Sequence, residues 1–274
     1  MPCSFLSAAE AHFLRSYPVC PFSSVVVSSV GNLPWKSVEK NNNKKRAVQQ
    51  VDKLDKFQHD TPLVRFRTTV EGPSDAAEHF CLFTMDVNHR AKWDPSIEQV
   101  YERYPINDLD VANILMGPKY GDCTRLGIGY CQTKKYLAVP GREQLTMCGI
   151  QSIPETKSTL IWGTECEDWH NHLLPPGQRY TRAKSHLFSI AIQPTDDNHF
   201  DVEYCLQIDI GGSIPTWVTT PIVVETIKKQ FKYAQKFYNG NGSDSEIYKY
   251  LAETDEKETQ QELWKKRQSI LMTP

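Results

Sequence analysis

The chain has 274 residues, of which 39% are apolar and 23% charged, with a formal net charge of −2. This is long enough to bury a sizeable core. It offers no global basic field for nucleic acid, and no apolar run reaches the roughly 18–20 residues of a membrane span. The eight cysteines form no C-x-x-C pair and several fall inside apolar patterns, so reduced, buried thiols in a cytoplasmic protein are expected rather than a disulfide framework.

In chain order, Ala8, Ala9, Ala11, Phe13 and Leu14 suit a short helix over 7–17 that Pro18 ends. Val19 to Val30 is broken by Pro21 and four serines. Without a basic leader it reads as structure rather than a signal peptide. Trp35–Lys40, a segment through Val48 and Val51, and Leu63–Val70 read as three antiparallel strands separated by polar turns. Ser74 caps a predicted helix from Asp75 to Met85, with Ala77, Phe80, Cys81 and Met85 on one stripe. A shorter helical turn, Val87 to Trp93, ends at Asp94-Pro95. Strands are then predicted at Ile97–Tyr104, Val111–Met116, Arg125–Tyr136, Glu143–Gln151, Thr159–Asp168, Tyr180–Gln193 and Phe200–Ile210.

The last of these alternates most clearly: Phe200, Val202, Tyr204, Leu206 and Ile208 on one face, Asp201, Glu203, Cys205, Gln207 and Asp209 on the other. Gly211 and Gly212 allow a sharp change of direction, and Pro215 suits the first turn of a helix. Val223, Ile227, Phe231, Ala234 and Tyr238 form its apolar stripe, with Lys228, Lys229, Lys232 and Lys236 on other faces. The order is that of an α+β fold in which a curved, mostly antiparallel sheet is closed by one long helix. Asn239 to Ser245 is a flexible break. Beyond it, Glu246 to Met272 reads as a charged helical tail, suited to solvent or a protein partner rather than an anionic membrane because Glu253 to Glu262 is acidic.

Four motifs occur together: Arg90-Ala-Lys-Trp93-Asp94, Gly141-Arg142-Glu143, Arg182-Ala183, and Asp209-x-x-Gly212-x-Ile214-Pro215-x-Trp217. In order and approximate spacing they resemble the START lipid-transfer domain. The resemblance covers roughly residues 30–238. It divides the chain into an N-terminal helix and extension (1–29), a lipid-binding domain (30–238), and a linker with its tail (239–274). It implies the helix-grip fold, with an internal hydrophobic tunnel that holds one lipid or sterol. It also implies transient contact with a membrane surface, where the helix or the loop Leu137–Gly141 moves aside.

On that reading the tunnel is lined by Leu137, Val139, Thr146, Cys148, Ser185, Leu187, Tyr204, Leu206, Ile208, Val223, Thr226, Ile227 and Gln230. Two positions depart from the family pattern. Cys148 stands where sterol-binding members carry a buried Arg, and Glu143 replaces the motif's Asp. The head group then falls to Thr146, Ser185, Tyr204, Thr226 and Gln230.

Several signals have plainer readings. For Tyr180–Gln193, periodicity alone does not say whether His186, Phe188, Ile190 and Ile192 or Ala183, Ser185, Leu187, Ser189 and Ala191 face inward; the family pattern favours small residues inside on the N-terminal segment. Trp93-Asp94-Pro95 reads as a core ring and a turn cap, and Arg182 as a surface or strand-pairing charge. Asp168-x-His170-x-His172, taken as extended, lacks a fourth ligand, so no metal and no cofactor are expected. No phosphate loop or nucleophile elbow occurs. Binding and intermembrane transfer of a hydrophobic ligand is the leading function. The alternatives are a cyclase- or aromatase-like enzyme, for which Tyr204 and His186 are the available acid–base groups, and a ligand-sensing module that reports through its tail.

Overall fold

A computed structural model of the chain describes residues 34–40, 50–55, 57, 59–71, 90, 94–105, 123–136, 139–153, 158–166, 168–177, 180–196, 199–212 and 214–238. The helices expected over 7–17 and 75–85, most of the turn over 87–93, the strand over 111–116 and everything after 238 lie outside them.

The period-two segments form ten strands: β1 (Lys36–Lys40), β2 (Gln50–Leu54), β3 (Leu63–Glu71), β4 (Ile97–Pro105), β5 (Cys123–Thr133), β6 (Arg142–Ile153), β7 (Ser158–Glu165), β8 (Thr181–Arg182), β9 (Lys184–Asp196) and β10 (His199–Asp209). They join one sheet in the order β1-β2-β3-β10-β9-β7-β6-β5-β4. Pairing is antiparallel except for the short β8, which runs parallel to the start of β6. Among the described residues one α-helix, α1 (Thr216–Tyr238), follows β10.

The turn into α1 is set by local chemistry. Gly211 and Gly212 take φ of 66° and 80°, which residues with a Cβ rarely adopt. Asp209 Oδ1 accepts from the Gly211 N–H at 2.8 Å. The Pro215 carbonyl accepts from the Val218 and Thr219 N–H groups, so this proline caps the helix one position before it begins.

Helix and sheet meet over an aromatic core. Val64, Phe66, Val70, Phe200, Val202, Tyr204 and Leu206 bury one face of β3 and β10 against Val224, Ile227 and Phe231. The rings of Phe66, Tyr204 and Phe231 lie 5.9–6.5 Å apart. The opposite sheet face holds Leu54, Leu63, Leu187 and Cys205 under Trp35 and Phe57. There Asp52 is matched by Arg65 at 2.8 Å and Arg67 at 3.1 Å, and the Arg65 guanidinium stacks on Trp35 at 4.2 Å.

Strand β9 resolves the ambiguity of its two faces by changing parity. Gln207 pairs with Leu187 but Ile208 pairs with Ser185, leaving His186 as the extra residue of a bulge. Before it, Ala183 and Ser185 face the helix side; after it, Phe188, Ile190 and Ile192 do. Leu187 is therefore corrected: it packs on the far face, with Leu63 and Cys205. Asp168–Leu173 is a 3₁₀ helix rather than an extended segment, because no alternation commits it to a strand.

A cavity between the sheet and the closing helix

The inner face of β5 carries almost no side-chain volume. Leu126, Ile128, Tyr130 and Gln132 turn outward and are buried, while Gly127, Gly129, Cys131 and Thr133 face α1. A Cβ built on Gly129 would meet no atom within 4 Å. Since the aromatic core sets the height of the helix, this strip leaves a cavity of about 530 Å³, within the roughly 300–1,000 Å³ of small-molecule sites.

Most of the expected lining is there: Val139, Thr146, Cys148, Ser185, Tyr204, Leu206, Ile208, Val223, Thr226, Ile227 and Gln230 surround the cavity. Leu187 does not, for the reason given above, and Leu137 lies outside the described residues. His186 is also corrected as a tunnel acid or base. It stacks on His59 at 3.8 Å, with the planes 8° apart, its Nδ1 lies 2.8 Å from Glu165 Oε1, and it is not part of the cavity wall.

The wall also contains a charged pair, Arg90 and Asp94; sequence reasoning read Asp94 as a turn cap and gave Arg90 no place in the wall. Arg90 Nε lies 3.6 Å from Asp94 Oδ2, with 28% of the Arg90 side chain accessible and none of the Asp94 side chain. That is an ion contact without a hydrogen bond: neither atom has a hydrogen-bond partner. Asp94 Oδ1 accepts from the Ser96 N–H at 3.0 Å and from its hydroxyl at 2.5 Å. Burial works against the Arg90 charge, but Asp94 and the neighbouring ionisable groups outweigh it and raise its pKa. The tunnel thus has a cation, supplied by Arg90, where Cys148 does not supply one. The signal was the i,i+4 spacing of Arg90 and Asp94, and β5 likewise announced its open strip by Gly127-x-Gly129.

Arg142 has a structural task. It donates to the carbonyls of Ile210 at 2.5 Å, Pro140 at 2.7 Å and Gly141 at 3.4 Å, tying the loop before β6 to the end of β10. Glu143 receives the Arg182 guanidinium at 3.8 Å, so Arg182 is the strand-pairing charge expected of it. At the mouth, Tyr136 and Val139 exchange backbone hydrogen bonds of 3.0 and 2.9 Å. The Lys229 ammonium donates to Tyr136 Oη at 3.2 Å. Lys134 and Lys135 are exposed beside it.

Burial pushes the Tyr204 phenol up and the Cys131 thiol up to about 11. Among the described residues no group of three or more His, Cys, Asp or Glu is arranged to hold a metal.

The START domain family matches residues 30–242. The chain belongs to the START domain family. Among solved structures, human StAR-related lipid transfer protein 5 matches with a TM-score of 0.64 at 15% identity, covering 83% of this chain and 96% of that one. Human STARD10 matches with a TM-score of 0.58 at 18% identity, covering 79% and 78%. A fragment of the STAR-related lipid transfer protein from Xanthomonas axonopodis matches with a TM-score of 0.53 at 17% identity, covering 73% of this chain and 96% of that fragment. At these identities the START structures share the fold. No curated protein matches the chain in sequence.

Proposed function

We propose that this START domain binds one hydrophobic ligand with a polar head in the cavity under α1 and carries it between membranes. The observation that carries the reading is the glycine-floored cavity with Arg90 in its wall. Its volume of about 530 Å³ lies within the roughly 300–1,000 Å³ of sites that enclose one small molecule. That suits one chain or one fused-ring lipid. Apolar surface taken from water contributes about 25 cal/mol per Å², so tails need few polar contacts, and Arg90 offers N–H donors to a head group.

Two features support a membrane encounter. Lys134, Lys135 and Lys229 stand at the mouth, and each lysine near an anionic surface contributes about 1 kcal/mol. Trp217, at the start of α1, is 78% exposed, as suits a ring that seats at a membrane interface. No described helix is long and apolar enough to cross a membrane. A binding rather than enzymatic role is supported by the state of the wall: Tyr204 and Cys131 hold their protons and Arg90 its charge far from neutral pH, whereas acid–base catalysis calls for a pKa near the working pH.

The test uses Nile red as a neutral cavity reporter and a self-quenched fluorescent lipid in donor vesicles. The full chain is expected to bind one Nile red and to move lipid to acceptor vesicles, faster when these carry phosphatidylserine. Gly129→Leu, which fills the open strip, is expected to abolish both. A wild-type chain that takes up neither probe overturns the proposal.

A further inference from the structure

We propose that Ser96 and Gln230 are positioning residues that make the grip of α1 depend on what the head of the ligand does to Arg90. This rests on the binding reading above. An unbroken polar chain leads from the cavity wall to the helix. Arg90 Nε faces Asp94 Oδ2 at 3.6 Å; Asp94 Oδ1 accepts from the Ser96 hydroxyl at 2.5 Å; the same hydroxyl oxygen accepts from Gln230 Nε2 at 3.3 Å.

The Ser96 carbonyl also accepts from the Lys134 N–H at 2.8 Å, which fixes the backbone of the turn so that the side chains carry the response. The neighbouring helix contacts differ in kind. Lys228 pairs with Glu39 at 2.7 Å and Lys229 with Tyr136, and neither touches Arg90 or Asp94. The head group's effect on Arg90 therefore does not pass through them.

The sign follows from how hydrogen bonds polarise one another. The Arg90–Asp94 contact is not a hydrogen bond, so the guanidinium can turn to a ligand oxygen at small cost. The Asp94 side chain is fully buried in the wall and then leans more on Ser96. A hydroxyl that donates more strongly also accepts more strongly, so its bond from Gln230 tightens. By linkage, a tighter helix raises affinity for ligands whose head engages Arg90 by the same factor. A headless hydrocarbon fills the same space and leaves the chain unchanged.

The experiment is amide hydrogen exchange over 223–231 in the full chain, saturated in turn with hexadecyl phosphate and with hexadecane. The two share a tail and differ by a head. Exchange is expected to be about 1.2- to 1.7-fold slower with the phosphate, the factor for strengthening one hydrogen bond of about 1 kcal/mol by about 10–30%. In Ser96→Ala and Gln230→Leu, each at saturation, the ratio is expected to fall to about one. Gln230→Leu leaves the Asp94–Ser96 turn intact, and Ser96→Thr, which keeps the hydroxyl, is expected to restore the ratio. Equal protection by both ligands in the wild type, or a ratio that survives Gln230→Leu, overturns the coupling while leaving the binding reading in place. Failure of either ligand to enter the wild-type chain sinks both.

Discussion

The two halves of the sheet meet the same helix with opposite side-chain sizes. Under β3, β10 and the later part of β9, Phe66, Tyr204, Phe188 and Phe231 fill the space to the helix. Under β5 and the start of β6, Gly127, Gly129, Cys131, Thr146 and Cys148 leave it open. One continuous antiparallel sheet serves both halves, so the cavity needs no separate opening in the fold. The packed half holds the helix at the height that keeps the other half hollow, and stability and capacity are thereby assigned to different strands.

The strongest way to break this division is to empty the packed half. Phe231→Ala is expected to destabilise the protein by about 3–5 kcal/mol, as for other buried aromatics, measured by urea unfolding. A loss below about 1 kcal/mol would show that Phe231 does not hold the helix. Smaller, and sharper, is a pair of glycines. Gly149 borders the cavity with its backbone alone; a Cβ there would point to the other sheet face and lie 2.5 Å from the Trp162 ring. Gly149→Ala is expected to cost about 1–3 kcal/mol through overpacking and to leave Nile red affinity unaltered. Gly129→Leu, with no atom near its Cβ, is expected to leave stability unchanged or raise it by up to about 2 kcal/mol, as cavity filling does. If both glycines answer alike, the two faces do not differ as described.

The smallest expected effect is on pH. Burial, then the nearby His186, lowers the His59 pKa from its usual 6.5, so the folded state prefers neutral His59. Its contribution is complete above 6.5 and is lost as pH falls from there towards the lowered value. The Glu165 pKa is lowered from 4.5, chiefly by its hydrogen bond with His186, and that contribution goes as pH falls below 4.5 through the lowered value. Thermal midpoints from pH 8 down to about 3 should decline in those two stages. His59→Tyr, which keeps a ring against His186 without titrating there, should flatten the first, and an unaltered first stage would assign it to another group.

Sequence carried the fold wherever one face was buried. Along β10 the alternation from Phe200 to Ile208 picks the inner face, because a one-residue slip would turn every apolar side chain outward. Along β9 the same reasoning could not choose, since the bulge at His186 reverses the parity midway and a bulge leaves no mark in the hydrophobic pattern. Leu187 was misplaced for that reason. The polar end of the cavity was harder: Arg90 and Asp94 come from the segment before β4, far in sequence from Tyr204 and Gln230, and only the folded sheet and its helix bring them together. The glycines of β5 were visible but silent, because a missing side chain means space only when something large stands opposite.

Arg142 grips carbonyls on both banks of the mouth, Pro140 and Gly141 on the loop and Ile210 at the end of β10. Loop and helix approach share one fastening, and neither parts from the sheet without straining the other's. In kinetic terms the two banks of the mouth share a bolt. Ligand loss is expected to run as one exponential with one activation enthalpy, and Arg142→Lys, whose ammonium cannot reach all three carbonyls in the same fork geometry, should speed that one phase rather than split it into two.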